Sequence, residues 1–196
     1  YKTSSNTYGN IMKLREGSKP FIVYVPGNDV NIGSAFTLND LFWRPFTLYS
    51  FLPSEIFSVT FENRADTGSS FRIENRDRDF RLFGNSKELS GWDTSRVIRY
   101  ISYFTHVPFE TWALDLENGE RENIMAQEPL YTITVSGTGA EAGVLLLWEK
   151  IIEEEGTEKS DTDRLWGKKE DGDELLIVRY TDIDPLIKKR SYFFPR

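Results

Sequence analysis

Cysteine is absent from this 196-residue chain, histidine occurs once and methionine twice. Without Cys there is no disulfide, no thiolate nucleophile and no Cys-ligated zinc. The single histidine, His106, rules out a multi-His metal site within one chain. Any Ser-His-Asp triad would have to run through it, and no Gly-x-Ser-x-Gly elbow is present. His106 follows a helix signal and precedes Pro108, so it reads as a helix-end surface residue. No apolar run is long enough to span a bilayer as a helix. Positive charge is also scarce: 24 Lys and Arg stand against 31 Asp and Glu, a formal net charge of −7. A sequence-independent nucleic-acid binder needs a basic face, and an anionic membrane surface attracts one, so both partners are disfavoured. The one basic run is Lys188-Lys189-Arg190.

What is present is ordinary globular material. Hydrophobic residues make up 39% and charged residues 28%, a balance that folds rather than stays disordered. Aromatics reach 14%, which suits strands and the space between a sheet and a helix. The length fits one domain or two small ones. The chain opens on Tyr1 rather than Met, so a removed signal peptide or anchor is expected, with a cytosolic domain boundary as the alternative.

Residues 1–10 are polar and read as a linker, with residues 1–19 set apart from the folded part. Pro20-Phe-Ile-Val-Tyr-Val25 reads as a strand closed by Pro26-Gly27. Leu38 to Arg44 predicts a short helical turn limited by Pro45, and Phe46 to Tyr49 an extended segment. The pattern then clears. Glu55–Phe61 alternates with Phe57, Val59 and Phe61 on the buried face, and Ser70–Glu74 and Phe80–Phe83 follow after short turns. Together these predict an antiparallel meander. Asp93 or Ser95 caps a helix reaching Phe104, with Val97, Ile98, Ile101 and Phe104 on its apolar face. Phe109–Leu114 reads as a further strand or closing segment, and Asp115–Asn123 as a linker.

The order then repeats. Leu130–Val135 and Val144–Trp148 read as strands around a turn at Gly137–Gly143. Glu153–Asp163 is an acidic excursion. Leu165–Lys169 and Glu174–Tyr180 form a hairpin through Asp171-Gly172. A second helix runs from Asp182 to Phe193. It aligns with Asp93–Phe104 so that both end in Ser-Tyr-Phe, with Arg190 standing where Ile101 does. The expected fold is therefore α+β: two tandem related units, 20–114 and 124–196, each an antiparallel meander followed by a covering helix.

Chemistry-bearing motifs are weak by comparison. Glu153-Glu-Glu155, Asp161-Thr-Asp163 and Asp171-Gly-Asp-Glu174 offer hard oxygens for calcium, but none has the spacing of an EF-hand loop. Gly137-Thr-Gly139 precedes a strand instead of a helix, so it reads as a hairpin turn and not a phosphate loop. No metal or cofactor is expected. Trp148 and Trp166 read as core residues. The candidate binding residues are Trp43 and Arg44, a ring beside a guanidinium in the least regular stretch, together with Trp92 beside the helix cap.

Tyr24-Val-Pro-Gly27, Phe42-Trp-Arg44, Pro53–Phe61, the charged hairpin and the Asp93–Phe104 helix together resemble a domain-of-unknown-function family of bacterial envelope proteins. That family is often associated with gliding-motility-type ABC transporters. The resemblance covers residues 20–112, with a weaker echo from 128 to 196. It implies an extracytoplasmic, non-enzymatic scaffold in the periplasm or at the cell surface, anchored by a segment preceding Tyr1 and binding an envelope protein. The alternatives are a glycan-binding module using exposed aromatics and a hydrolase with a dispersed carboxylate pair.

Overall fold

The computed structural model describes residues 4–6, 9–24, 26–27, 40–77, 79–137, 143–154 and 156–195. The chain divides into two units, Tyr1–Pro45 and Phe46–Arg196. In the first, strands β1 (Ser4–Asn6), β2 (Gly9–Lys13) and β3 (Pro20–Val23) form a three-stranded antiparallel sheet. The linker expected for residues 1–19 is thus corrected. Asn10–Lys13 pairs rung by rung with Pro20–Val23, so strand pairing overrides a polar composition there. A 3₁₀ turn at Asp40–Trp43 closes the unit where a short helical turn was expected. Residues 38 and 39 of that expectation lie outside the described residues.

In the second unit, β4 (Thr47–Tyr49) leads into β5 (Ile56–Asn63), β6 (Phe71–Arg76), β7 (Asp79–Gly84) and the short β8 (Lys87–Glu88). Helix α1 (Thr94–Ser102) follows, then β9 (Val107–Pro108), β10 (Thr111–Trp112) and helix α2 (Asn118–Ala126). Strands β11 (Tyr131–Gly137), β12 (Gly143–Glu154), β13 (Thr157–Lys169) and β14 (Leu176–Arg179) precede the single helical turn α3 (Tyr180–Ile183). The interior of the expected turn between β11 and β12, residues 138–142, lies outside the described residues. β4 pairs with β9 apart from the main sheet.

Nine strands form one antiparallel sheet in the order β10-β14-β13-β12-β11-β5-β6-β7-β8. Strands of both expected halves therefore share a sheet: two meanders run outward from a seam where β5 pairs with β11. At that seam Thr60 lies opposite Thr134, Val59 opposite Val135 and Phe61 opposite Ile133. The fold is α+β and strand-dominated, as the alternating sequence predicts.

Burial follows from the two-residue period of the strands. Val59, Phe61, Ile73, Leu82, Ile133, Leu147, Leu165 and Val178 enter one large core, which also takes Val97, Tyr100, Ile101 and Phe104 from α1 and the turn after it. Their neighbours on the other face of the second meander form a smaller core of Trp148, Ala113 and Leu175, with Trp166, Ile177 and Ile124 against it. Leu147 and Trp148 are adjacent and both buried, so β12 is covered on both faces at that level.

Three expectations for the helices need correction. Ile98 is half exposed, and its place on the buried stripe goes to Tyr100, which sits at the regular 97, 100, 101, 104 spacing. Full burial is tolerable because the Tyr100 hydroxyl donates to the Leu186 carbonyl at 3.0 Å. The linker expected at 115–123 contains α2, started by a capping box in which Glu117 and Glu120 each bond the other's backbone. The helix expected from Asp182 to Phe193 is broken. α3 starts after Arg179, Pro185 has no amide to extend the ladder, and Lys189 is extended before a 3₁₀ turn at Arg190–Phe193. Asp182 binds Arg179 and is not a cap, whereas Asp93 does cap α1 by accepting from the Ser95 amide.

Candidate functional site

Trp43 ends the 3₁₀ turn of the first unit with 61% of its surface exposed, and Phe42 and Arg44 beside it are also exposed. The Arg44 amide donates to the Leu41 carbonyl, which fixes the backbone that presents the ring and the guanidinium. Trp92, in the second unit, is held differently. Its ring packs on the main core and its Nε1 donates to the Leu89 carbonyl at 3.1 Å, stapling the entry to α1. His106 is exposed at the end of the 3₁₀ turn Tyr103–Thr105, as the sequence implied. Trp148 is in the smaller core, and Trp166 lies half-buried against it with the Lys150 ammonium 5.4 Å from its ring centre.

Large apolar side chains left in water are concentrated in the first unit. Leu14, Phe21, Ile22, Tyr24, Phe42 and Trp43 are all exposed there. Phe21 and Ile22 are neighbours on β3 and so point to opposite faces, yet they expose 58% and 52% of their surface. A sheet normally buries one face, and β3 buries neither of these residues. Among the described residues its only strand partner is β2. The strand itself was legible in the sequence, but its exposure was not.

Two grooves of the second unit stand out among the described residues. One of about 750 Å³ lies across the ends of β5, β6 and β11 and is mixed in character, with Glu62, Arg64 and Arg72 beside Phe61 and Phe83 on its walls. The other, of about 790 Å³, is more apolar and is bounded by Leu52, Ile56, Phe80 and Ile98.

The most organised charged cluster sits where β12 and β13 leave the sheet. Register shifts between Glu149 and Ile151, leaving a bulge on β13. Asp161, nearly buried, closes that bulge by accepting from the amides of Asp163 (2.9 Å) and Arg164 (3.0 Å) and from Lys150 Nζ (3.1 Å). Arg164 forks onto both oxygens of Glu110 at 2.7 and 3.0 Å. Burial by itself would raise the Asp161 carboxyl. The two amides and Lys150 outweigh it, and its pKa lies below the ordinary value. The bond from Arg164 lowers that of Glu110, and the Ser95 hydroxyl and amide lower that of Asp93. All three carboxyls are held ionised, the reverse of what a general acid needs. Among the described residues no cluster of His, Asp and Glu could hold a metal ion.

A depressed carboxyl stabilises the fold above the ordinary carboxylate pKa, near 3.9, and loses that contribution as pH falls through the folded value. Asp161→Asn should therefore lower stability at pH 7 by about 1.5–3 kcal/mol, the range for hydrogen bonds to a charged group. Its stability should also fall less than wild type's between pH 5 and pH 3. Urea midpoints at pH 7, 5 and 3 check both, and parallel pH profiles would refute the assignment.

No protein-family model matches the chain, and no curated protein or solved structure is significantly similar to it.

Proposed function

We propose that the protein is a non-enzymatic interaction module of the bacterial cell envelope that binds a protein partner through its first unit. The observation that carries this is the exposure of β3, which offers Phe21 and Ile22 on opposite faces with Tyr24 and Trp43 also in water. Strand edges and apolar patches of this kind are where proteins meet other chains. The envelope location and the anchor preceding Tyr1 are supported by the resemblance of residues 20–112 to the envelope family.

The same proposal treats Phe46–Arg196 as a fused pair of related halves. Ile56-Phe-Ser-Val-Thr-Phe61 matches Leu130-Tyr-Thr-Ile-Thr-Val135 residue for residue in kind. That alignment sets Thr60 on Thr134, the very residues that face each other across the seam. An approximate two-fold axis through the seam would bring matching residues opposite each other in this way, which supports the reading. The Ser-Tyr-Phe ends support the same view. Phe104 and Phe193 are both fully buried in the main core, each in a 3₁₀ turn, and Tyr103 lies beside Tyr192.

A photo-crosslinking residue placed at Phe21 or Tyr24 of the full-length protein in its native cells should yield one discrete protein adduct. The same residue at Glu62 should yield none, and Ile22→Asp should abolish the adduct at Phe21. An absence of adducts at both first-unit positions overturns the reading. A glycan is the second reading, favoured by the exposed Trp43 ring, since indole faces stack on sugars. Calorimetric binding of envelope oligosaccharides that is lost in Trp43→Ala would transfer the site to that class.

A further inference from the structure

We infer that the tip of the β12–β13 hairpin is a second docking element of this module, built to receive a basic, extended segment of a partner protein. The inference rests on the reading that the chain binds a protein. β11 accompanies β12 only as far as Leu147, and β14 accompanies β13 only from Arg164. Beyond those points Ile151–Glu154 and Thr157–Ser160 pair with each other alone, turning at Gly156, whose φ is +73°. Among the described residues both outer edges of this ribbon are therefore unpaired. A two-stranded ribbon is marginal on its own, and an unpaired edge is a template for another strand. The ribbon nevertheless starts from a fixed base, because Asp161, Lys150, Arg164 and Glu110 lock the bulge at its root.

Charge identifies the occupant. From Glu149 to Arg164 the sequence has seven carboxylates and three cations. The cations are already engaged: Lys150 by Asp161, Lys159 by Glu154 and Arg164 by Glu110. Glu153 lies directly opposite Glu158 on one face of the ribbon, next to the half-exposed Ile151. Like charges opposite each other destabilise a strand pair, and no ion pair among the described residues relieves this one. A Lys or Arg from a strand added along the β12 edge would lie beside Glu153, relieving its repulsion with Glu158, and the same strand would run past the half-exposed Ile151. A second copy of this chain is a poor occupant, since it would bring another acidic ribbon.

The ribbon is also where the two related halves differ in length. The β6–β7 hairpin spans Phe71–Gly84, whereas the β12–β13 hairpin spans Gly143–Lys169. Added length confined to one hairpin, beyond the sheet that the halves share, is what an acquired binding feature looks like.

The test titrates the whole chain with a Lys-Val-Lys-Val-Lys-Val peptide and with a Glu-Val control, following backbone amide shifts. The Lys-Val peptide should bind, with the largest shifts at residues 151–160, and should weaken as salt rises. The control should not bind. The double variant Glu153→Gln, Glu158→Gln should bind the Lys-Val peptide about tenfold more weakly, as expected if it loses about one charge contact. Its thermal midpoint should equal or exceed wild type's, because the repulsion is gone, so lost binding cannot be read as lost folding. No binding, equal binding by the double variant, or the same shifts from calcium chloride alone would overturn the inference. If crosslinks at Phe21 persist when the peptide titration fails, the ribbon falls and the module reading stands. If the peptide binds and Phe21 never crosslinks, the first unit is not the partner surface.

Discussion

Phe193→Ala should destabilise the protein by about 3–5 kcal/mol, the range for deleting a fully buried phenyl ring. Phe193 has no exposed surface and meets Phe71 at 4.7 Å and Tyr100 at 5.4 Å between ring centres, both edge-on. Edge-to-face pairs add about 0.5–1.5 kcal/mol each beyond area burial. Phe193 also holds the C-terminal turn against α1, since its carbonyl accepts from the Asp93 amide at 2.8 Å. Arg96 grips the same turn through the carbonyls of Tyr192 and Phe194 at 2.8 and 2.6 Å. Phe104→Ala should have a loss of similar size, because Phe104 occupies the matching position and meets Tyr100 at 5.5 Å. The two losses should not add, as both rings share Tyr100. Chemical denaturation of the singles and the double measures this. A loss below about 1 kcal/mol for Phe193→Ala would show that the C-terminal turn is not part of the core.

The second large effect is local. Arg121→Leu should destabilise by about 2–3 kcal/mol and release α2 while leaving the nine-stranded sheet folded. No α2 residue is fully buried; Ile124 reaches the smaller core only in part. What holds the helix is Arg121, mostly shielded from water, with one nitrogen on Glu174 and another donating to the Ala113 carbonyl at 3.0 Å. The other tie is the Trp148 indole, which donates to the Gln127 carbonyl at 2.8 Å. Removing the guanidinium leaves Glu174 and a half-buried carbonyl without their partner. Hydrogen exchange should accelerate at residues 118–126 and stay slow in β11 and β12. Unchanged protection in α2 would refute the clamp.

These residues also show what the sequence could and could not reveal. β5, β6 and β7 were legible because strands half in water write a two-residue period into the chain, although in β5 Phe57, expected inside, is exposed and Ile56 and Ser58 are buried. Asp171-Gly172 announced its hairpin because turn chemistry is local. α2 was not legible: its apolar periodicity is weak, and its stability comes from Glu174, far along the chain. The Asp182–Phe193 segment misled in the opposite way. Its similarity to Asp93–Phe104 is real at the Ser-Tyr-Phe end, but Pro185 breaks the helix that the similarity implied. Residues 153–163 looked like a loop because they are acidic and polar, and a ribbon that buries little leaves no hydrophobic period to read. For the candidate site, Trp43 was singled out because a ring beside a guanidinium in an irregular stretch stands out, and its ring is exposed. The exposure of β3 could not be read from a sequence identical in kind to that of a buried strand.

The seam between β5 and β11 bears on how the second unit forms. Apart from β10, each meander is built from neighbours in sequence and can assemble early. Joining them means bringing Thr60 to Thr134 across everything between, a long loop closed before any of the seam's bonds reward it. Until then each meander presents the outer edge of a full-length inner strand unpaired, and on a crowded ribosome the nearest unpaired edge belongs to another copy. The continuity that makes the finished sheet one body thus makes its last pairing the step most open to misassembly.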